Sequence, residues 1–202
     1  MKRTDFDDAL SAKQRLALFH NTSVPAERAI SMNESEMTFE LFLSAGVRAL
    51  NISSAGIGPH ALKTRFDVQN ASQLRRLGFD SLHLVDPIFC NEANAAFGAE
   101  AVTNAFLDAP QDAVAVAGSQ ALETLNVSLT TLLEYCAGAP HEALAVLEQT
   151  TDHELLATVP IRVLLDTGVR APKLREIGIT IPLAGRMLDA DAASLAKLGF
   201  KI

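Results

Sequence analysis

The chain has 202 residues and a net charge of −7; it is 49% apolar, with no Trp, one Tyr and two Cys. A chain of this length buries a sizeable core in one or two domains, and this apolar share excludes global disorder. No apolar run reaches the roughly 18 residues of a membrane span. Met1–Asp8 turns acidic before any apolar region, which argues against a secretory signal. Cys90 and Cys136 stand in apolar surroundings and fit buried free thiols of a reducing compartment. The expected location is intracellular and soluble, in the cytoplasm or within a larger assembly.

Residues 1–20 read as an amphipathic helix, with Phe6, Leu10, Leu16 and Phe19 at roughly helical spacing and charges between them. Asn21–Pro25 breaks it, and 26–38 is polar. Asn70 before Ala71 reads as a helix start. Asp80 is placed to cap a short helix. Pro87 suits a first helical turn and opens a helix expected over 87–107. Further helices are expected over 111–125, from Ser128 to Cys136 with Gly138 as the stop, from Pro140 to about Gln149, and over 153–158 behind Asp152. Asp189 and Asp191 precede Leu195 and read as caps of a last helix. Leu82–Val85, Ala113–Ala117 and Ile161–Leu165 also suit short buried strands, because periodicity does not separate such a strand from a buried helix. Alanine favours helix, so all-α is the expected class and α/β the alternative.

One local frame recurs. An apolar residue, three residues, Gly and another apolar residue appear as Phe42–Gly46–Val47, Ile52–Gly56–Ile57 and Leu74–Gly78–Phe79. The same frame returns as Leu164–Gly168–Val169, Leu174–Gly178–Ile179 and Leu195–Gly199–Phe200. This is the pattern of a Schellman stop, in which the glycine turns left-handed and the flanking apolar residues touch. Gly46-Val47-Arg48-Ala49 returns as Gly168-Val169-Arg170-Ala171, so two related helical repeats are expected, each too small to bury its own apolar face. The expected parts are an N-terminal helix and linker (1–41), repeat 1 (42–79), an Ala-rich helical middle (80–160) and repeat 2 (161–202), together one compact unit.

Charge divides along the same lines. From Leu77 to Ile161 there is no Lys or Arg, and that stretch holds 12 acids. Both repeats are net basic. Such asymmetry speaks to association and not to fold. The basic side chains expected to meet a partner are Arg48, Arg65, Arg75, Arg76, Arg170, Arg175 and Arg186.

Ala55-Gly56-Ile57-Gly58-Pro59-His60-Ala61-Leu62-Lys63 resembles the helix-hairpin-helix element of DNA-binding proteins, a Gly-apolar-Gly turn between two helices. The resemblance spans 50–79 and implies backbone amides at a helix N-terminus holding a phosphate, with Lys63, Arg65, Arg75 and Arg76 nearby. The chain departs from it in two places. Leu62 stands where a small alanine is usual, and the second copy reads Gly178-Ile179-Thr180-Ile181. The overall acidity also weighs against nucleic acid, whose binding rests on phosphate neutralisation.

Asp80, His83 and Cys90 offer acid, base and thiol within a short stretch, with Cys136 and His141 further on. Nucleophilic catalysis needs the imidazole beside the thiol, and zinc needs three or four convergent ligands at recognised spacings. No such spacing occurs, so no metal, cofactor or catalytic residue is assigned. The expected function is non-catalytic: a helical protein-protein interaction, structural or assembly protein, with a protein partner or self-association. A nucleic-acid module at 50–79 is the alternative, and an enzyme built on His83 and Cys90 the third reading.

Overall fold

The computed structural model describes residues 38–202 apart from Ala45 and Thr151. The helix expected over 1–20 lies outside these residues. Among the described residues there are fifteen α-helices and no strand, so the all-α expectation holds. The three segments weighed as strands are helical: Ser81–Val85 is a 3-10 turn, and the other two lie in Pro110–Val116 and Ile161–Asp166. The nearest thing to a sheet is one isolated parallel bridge between Pro160 and Leu188. No helix of the described residues is long and apolar enough to cross a membrane.

The chain divides into two compact units. The described part of the first runs to His83 and resumes over Ile88–Phe106; the second holds Leu84–Pro87 and Leu107–Ile202. In the first lie α1 (Phe39–Ser44), α2 (Ala49–Ser54), α3 (Pro59–Arg65) and α4 (Ala71–Arg76), followed by α5 (Pro87–Phe97), whose first residue belongs to the second unit, and α6 (Ala99–Phe106). The second unit holds α7 (Pro110–Val116), α8 (Ala121–Leu125), α9 (Leu129–Tyr135), α10 (Pro140–Glu148) and α11 (His153–Ala157). It continues with α12 (Ile161–Asp166), α13 (Ala171–Glu176), α14 (Ile181–Ala184) and α15 (Ala192–Leu198).

Helices this short do not stand alone in water, so packing holds them. In the first unit α4 packs on α6, and phenylalanines stand among the aliphatic residues of the core. Phe42 meets Phe66 with ring centroids 5.4 Å apart, Phe79 meets Phe89 at 5.0 Å, and Phe89 meets Phe106 at 6.3 Å. In the second unit α7 packs on α9 and α10, α9 on α12, and α12 on α15. That core is mainly aliphatic, with Val116, Leu132, Leu133, Val146, Leu164 and Leu174 all buried.

The glycine stops form as the sequence frame requires. Gly46, Gly56, Gly78, Gly168, Gly178 and Gly199 all have φ between 69° and 94°. At five of the six the residue after the glycine donates its N–H to the carbonyl five residues back, at 2.8–3.2 Å. The sixth differs. Buried Thr167 donates its hydroxyl to Leu164 O at 2.6 Å and accepts the Val169 N–H at 3.3 Å. The hydroxyl stands between the two backbone groups that would otherwise bond directly.

Two expected helices are broken. The helix read over 87–107 ends at Phe97 and restarts at Ala99, because Gly98 turns left-handed at φ 89°. The helix read over 111–125 divides at Gly118, φ 71°, into α7 and α8. Its end at Leu125 follows from Asn126, φ 54°, with Val127 N–H donating to Leu122 O at 2.8 Å. Leu122–Asn126–Val127 is thus the same stop with asparagine in place of glycine.

Side-chain caps form where expected. Asn70 accepts from Gln73 N, Ser128 from Thr131 N, Asp152 from Glu154 N and Leu155 N, and Asp191 from Ser194 N. Each satisfies amides that a helix start leaves without a partner. Asp189 instead takes a left-handed turn at φ 59°.

Candidate functional site

The arginines singled out from the sequence sit at the ends of short helices. Arg48 is the residue before α2 and Arg170 the residue before α13; both are extended and exposed. Each donates Nη1 to the carbonyl of the valine just before it, Val47 O at 3.0 Å and Val169 O at 3.3 Å. Arg65 lies over Phe66 (5.6 Å to the ring centroid), Arg75 over Phe106 (5.7 Å), Arg76 over Phe39 (4.9 Å) and Arg175 over Phe200 (5.7 Å). A guanidinium on an aromatic face keeps its charge and gains dispersion and quadrupole attraction. Arg186 is exposed after α14. Arg48, Arg65, Arg75 and Arg76 belong to the first unit, and Arg170, Arg175 and Arg186 to the second.

The Gly56–Lys63 turn is occupied by groups of its own unit. Glu92 of α5 accepts the His60 N–H at 3.4 Å, near the start of α3. A Cβ on Gly58 would fall inside contact distance of that same carboxylate oxygen. Lys63 donates to Ala96 O at the end of α5 and lies 5.4 Å from the Phe97 ring centroid. The α3 N-terminus thus receives an acid from α5, and the α5 C-terminus receives a base from α3, both favourable to the helix dipoles. The His60 amide and Lys63, which the helix-hairpin-helix resemblance assigns to a phosphate, are engaged with Glu92 and α5.

The His83 ring packs against Phe89, with centroids 5.7 Å apart. Asp80 Oδ1 lies 2.7 Å from His83 Nδ1 and accepts from Leu82 N–H at 3.1 Å. Asp80 therefore caps the 3-10 turn and orients the imidazole, whose ring stands edge-on to Phe79 at 5.1 Å. Cys90 is 1% exposed. Cys136 is buried too, and burial, with Glu142 nearby, pushes its thiol up to about 11, away from the nucleophilic thiolate. Among the described residues no three His, Cys, Asp or Glu converge as a metal site.

The second unit also carries an open groove of about 670 Å³ that sequence reasoning missed. Ala117–Ser119 lines one side and Gln149, Thr150 and Asp152 another, with Leu122, Leu129, Leu132 and Leu155 supplying apolar surface. Glu123 and Asp152 supply acids, and no Lys, Arg or His lines it among the described residues. Its shape depends on the break at Gly118, where a Cβ would meet Gln149 at 3.4 Å, and Gln149 reaches back to Val114 O. The available signal was Leu122–Asn126–Val127, which fits the stop frame once Asn is admitted beside Gly.

Comparison of the chain with protein-family models, with curated proteins and with solved structures finds no match.

Proposed function

We propose that the chain is a non-catalytic helical interaction protein, in which 42–79 and 161–202 are two copies of one module presenting arginines to a partner's acidic surface. The observation that carries this reading is the shared station of Arg48 and Arg170. Each follows a glycine stop, precedes the next helix in extended conformation, and is tied back to the valine carbonyl before it. A guanidinium anchored at one donor keeps others for a carboxylate. Arg76 and Arg175, exposed over Phe39 and Phe200, add charge to the two copies. The nucleic-acid alternative loses support from Glu92, since a carboxylate beside the Gly58–His60 turn repels a phosphate there.

Size-exclusion chromatography with light scattering tests this on the purified protein and on its complexes from lysate, at low and high salt. The expected result is a salt-sensitive oligomer or co-eluting protein, weakened when Arg48→Glu and Arg170→Glu are combined. Exposed charge pairs are screened over about 8–10 Å at physiological salt, so the dependence is expected to be marked. A monomer at both salt levels that captures nothing overturns the proposal.

A further inference from the structure

We propose that the groove of the second unit binds a cationic amphipathic helix from a protein partner, by an apolar side chain set among Lys or Arg residues. This goes beyond the arginine reading and does not rest on it, because the groove carries the opposite charge and none of those arginines lines it.

Three observations converge. First, the groove offers accessible apolar surface among the described residues: Leu155 is 43% exposed, and Leu122 and Val127 are half-buried. Apolar anchors in such a groove are the usual basis of helix-in-groove recognition. Second, its ionisable lining is acidic. Glu123 is exposed, and Asp152 keeps Oδ2 free of its own helix cap, which uses Oδ1 for the Glu154 and Leu155 amides. Third, the charge extends beyond the groove. The stretch from Leu77 to Ile161 contains no Lys or Arg, so no basic residue of that stretch offsets Glu123 and Asp152. Low-dielectric walls bearing one sign of charge concentrate the opposite sign and raise association rates. An anionic or neutral helix gains the apolar contact without the attraction, so charge selects among amphipathic partners.

The probe is a synthetic, fluorescently labelled Leu/Lys peptide of helical period, titrated into the full chain and followed by anisotropy. Leu/Glu and Leu/Ser peptides of the same pattern serve as controls. The expected result is saturable one-to-one binding of the Leu/Lys peptide, at least tenfold weaker binding of Leu/Ser, and no binding of Leu/Glu. Glu123→Lys is expected to weaken the Leu/Lys peptide about tenfold. Leu155→Asp is the sharper test, because it removes apolar surface while adding negative charge. Attraction to an acidic surface alone would tighten with Leu155→Asp; a peptide seated in the groove loosens about tenfold. Both positions are exposed, and circular dichroism checks that each variant keeps its helix content. Unchanged or tighter binding to Leu155→Asp, equal binding of Leu/Ser, or binding of Leu/Glu overturns the proposal.

Discussion

Residues 39–79 and 161–200 lay out short helices at matching spacing, starting at 39, 49, 59 and 71 in one and at 161, 171, 181 and 192 in the other. They satisfy the same backbone needs with different atoms. After α1 the Val47 N–H reaches Phe42 O directly, whereas after α12 the Thr167 hydroxyl relays the bond from Val169 to Leu164. The start of α3 accepts Glu92 because Gly58 has no Cβ to obstruct it; the matching position before α14 is Thr180. The surroundings differ as well. Nine of the ten phenylalanines lie at or before Phe106, and Phe200 is the one beyond it. A frame of apolar residues and glycine therefore sets the path of the chain, while the neighbours it packs against are free to differ. The frame is read locally, and the packing is built by distant residues.

The largest test of this comparison lies in the phenylalanines of the core. Phe79→Ala removes the ring contacts to Phe89 and His83 and is expected to cost about 3–5 kcal/mol in urea unfolding. Phe200→Ala, whose ring partner is the exposed Arg175, is expected to cost less. Equal losses would show that the two stretches bear equal weight despite their different surroundings.

A finer test exchanges one local solution for the other. Thr167→Val deletes the relaying hydroxyl at nearly constant shape and leaves Leu164 O and Val169 N–H to bond directly, as Phe42 O and Val47 N–H do. The expected loss is about 1 kcal/mol, the net worth of an ordinary hydrogen bond. A loss of about 3 kcal/mol would mean that the second stretch cannot adopt the direct stop and leaves both groups unpaired.

The smallest expected effect is pH-dependent. Hydrogen bonds from Ser194, through its backbone N–H first and its hydroxyl second, hold the Asp191 carboxyl below its ordinary value. A carboxylate depressed in the folded state contributes stability above its unfolded value, near 4, and loses it as pH falls through the folded value. Asp191→Ala is therefore expected to lower Tm slightly at pH 7, with the gap to wild type narrowing as pH falls below the unfolded value and through the folded one. A gap that persists in acid would mean that the charge at the α15 cap contributes nothing.

Much of the helical path was legible in the residue order. The six glycine stops, the caps at Asn70, Ser128, Asp152 and Asp191, and the openings at Pro87 and Pro140 all depend on atoms a few residues apart. Alanine-rich runs misled where a glycine lacked one of its two flanking apolar residues. Ser119 follows Gly118 and Asn94 stands four residues before Gly98, so the frame was incomplete and one helix was read in place of two. The arginine positions were legible as charge, but their seating over Phe39, Phe66, Phe106 and Phe200 was not.

Local sterics and the hydrogen-bond needs of helix ends act within one turn, so the sequence by itself determined that this chain is a series of short helices and where most of them stop. Only the tertiary structure decided which groups occupy those ends and which surfaces stay open. Glu92 reaches His60 from 32 positions away and Lys63 reaches Ala96 from 33, and each takes up a group that local reading had left for a phosphate. The groove, too, is assembled from the α7–α8 turn, α9 and the α10–α11 turn. Contacts of this range are chosen by how apolar faces close over one another, and that choice belongs to the packed chain as a whole.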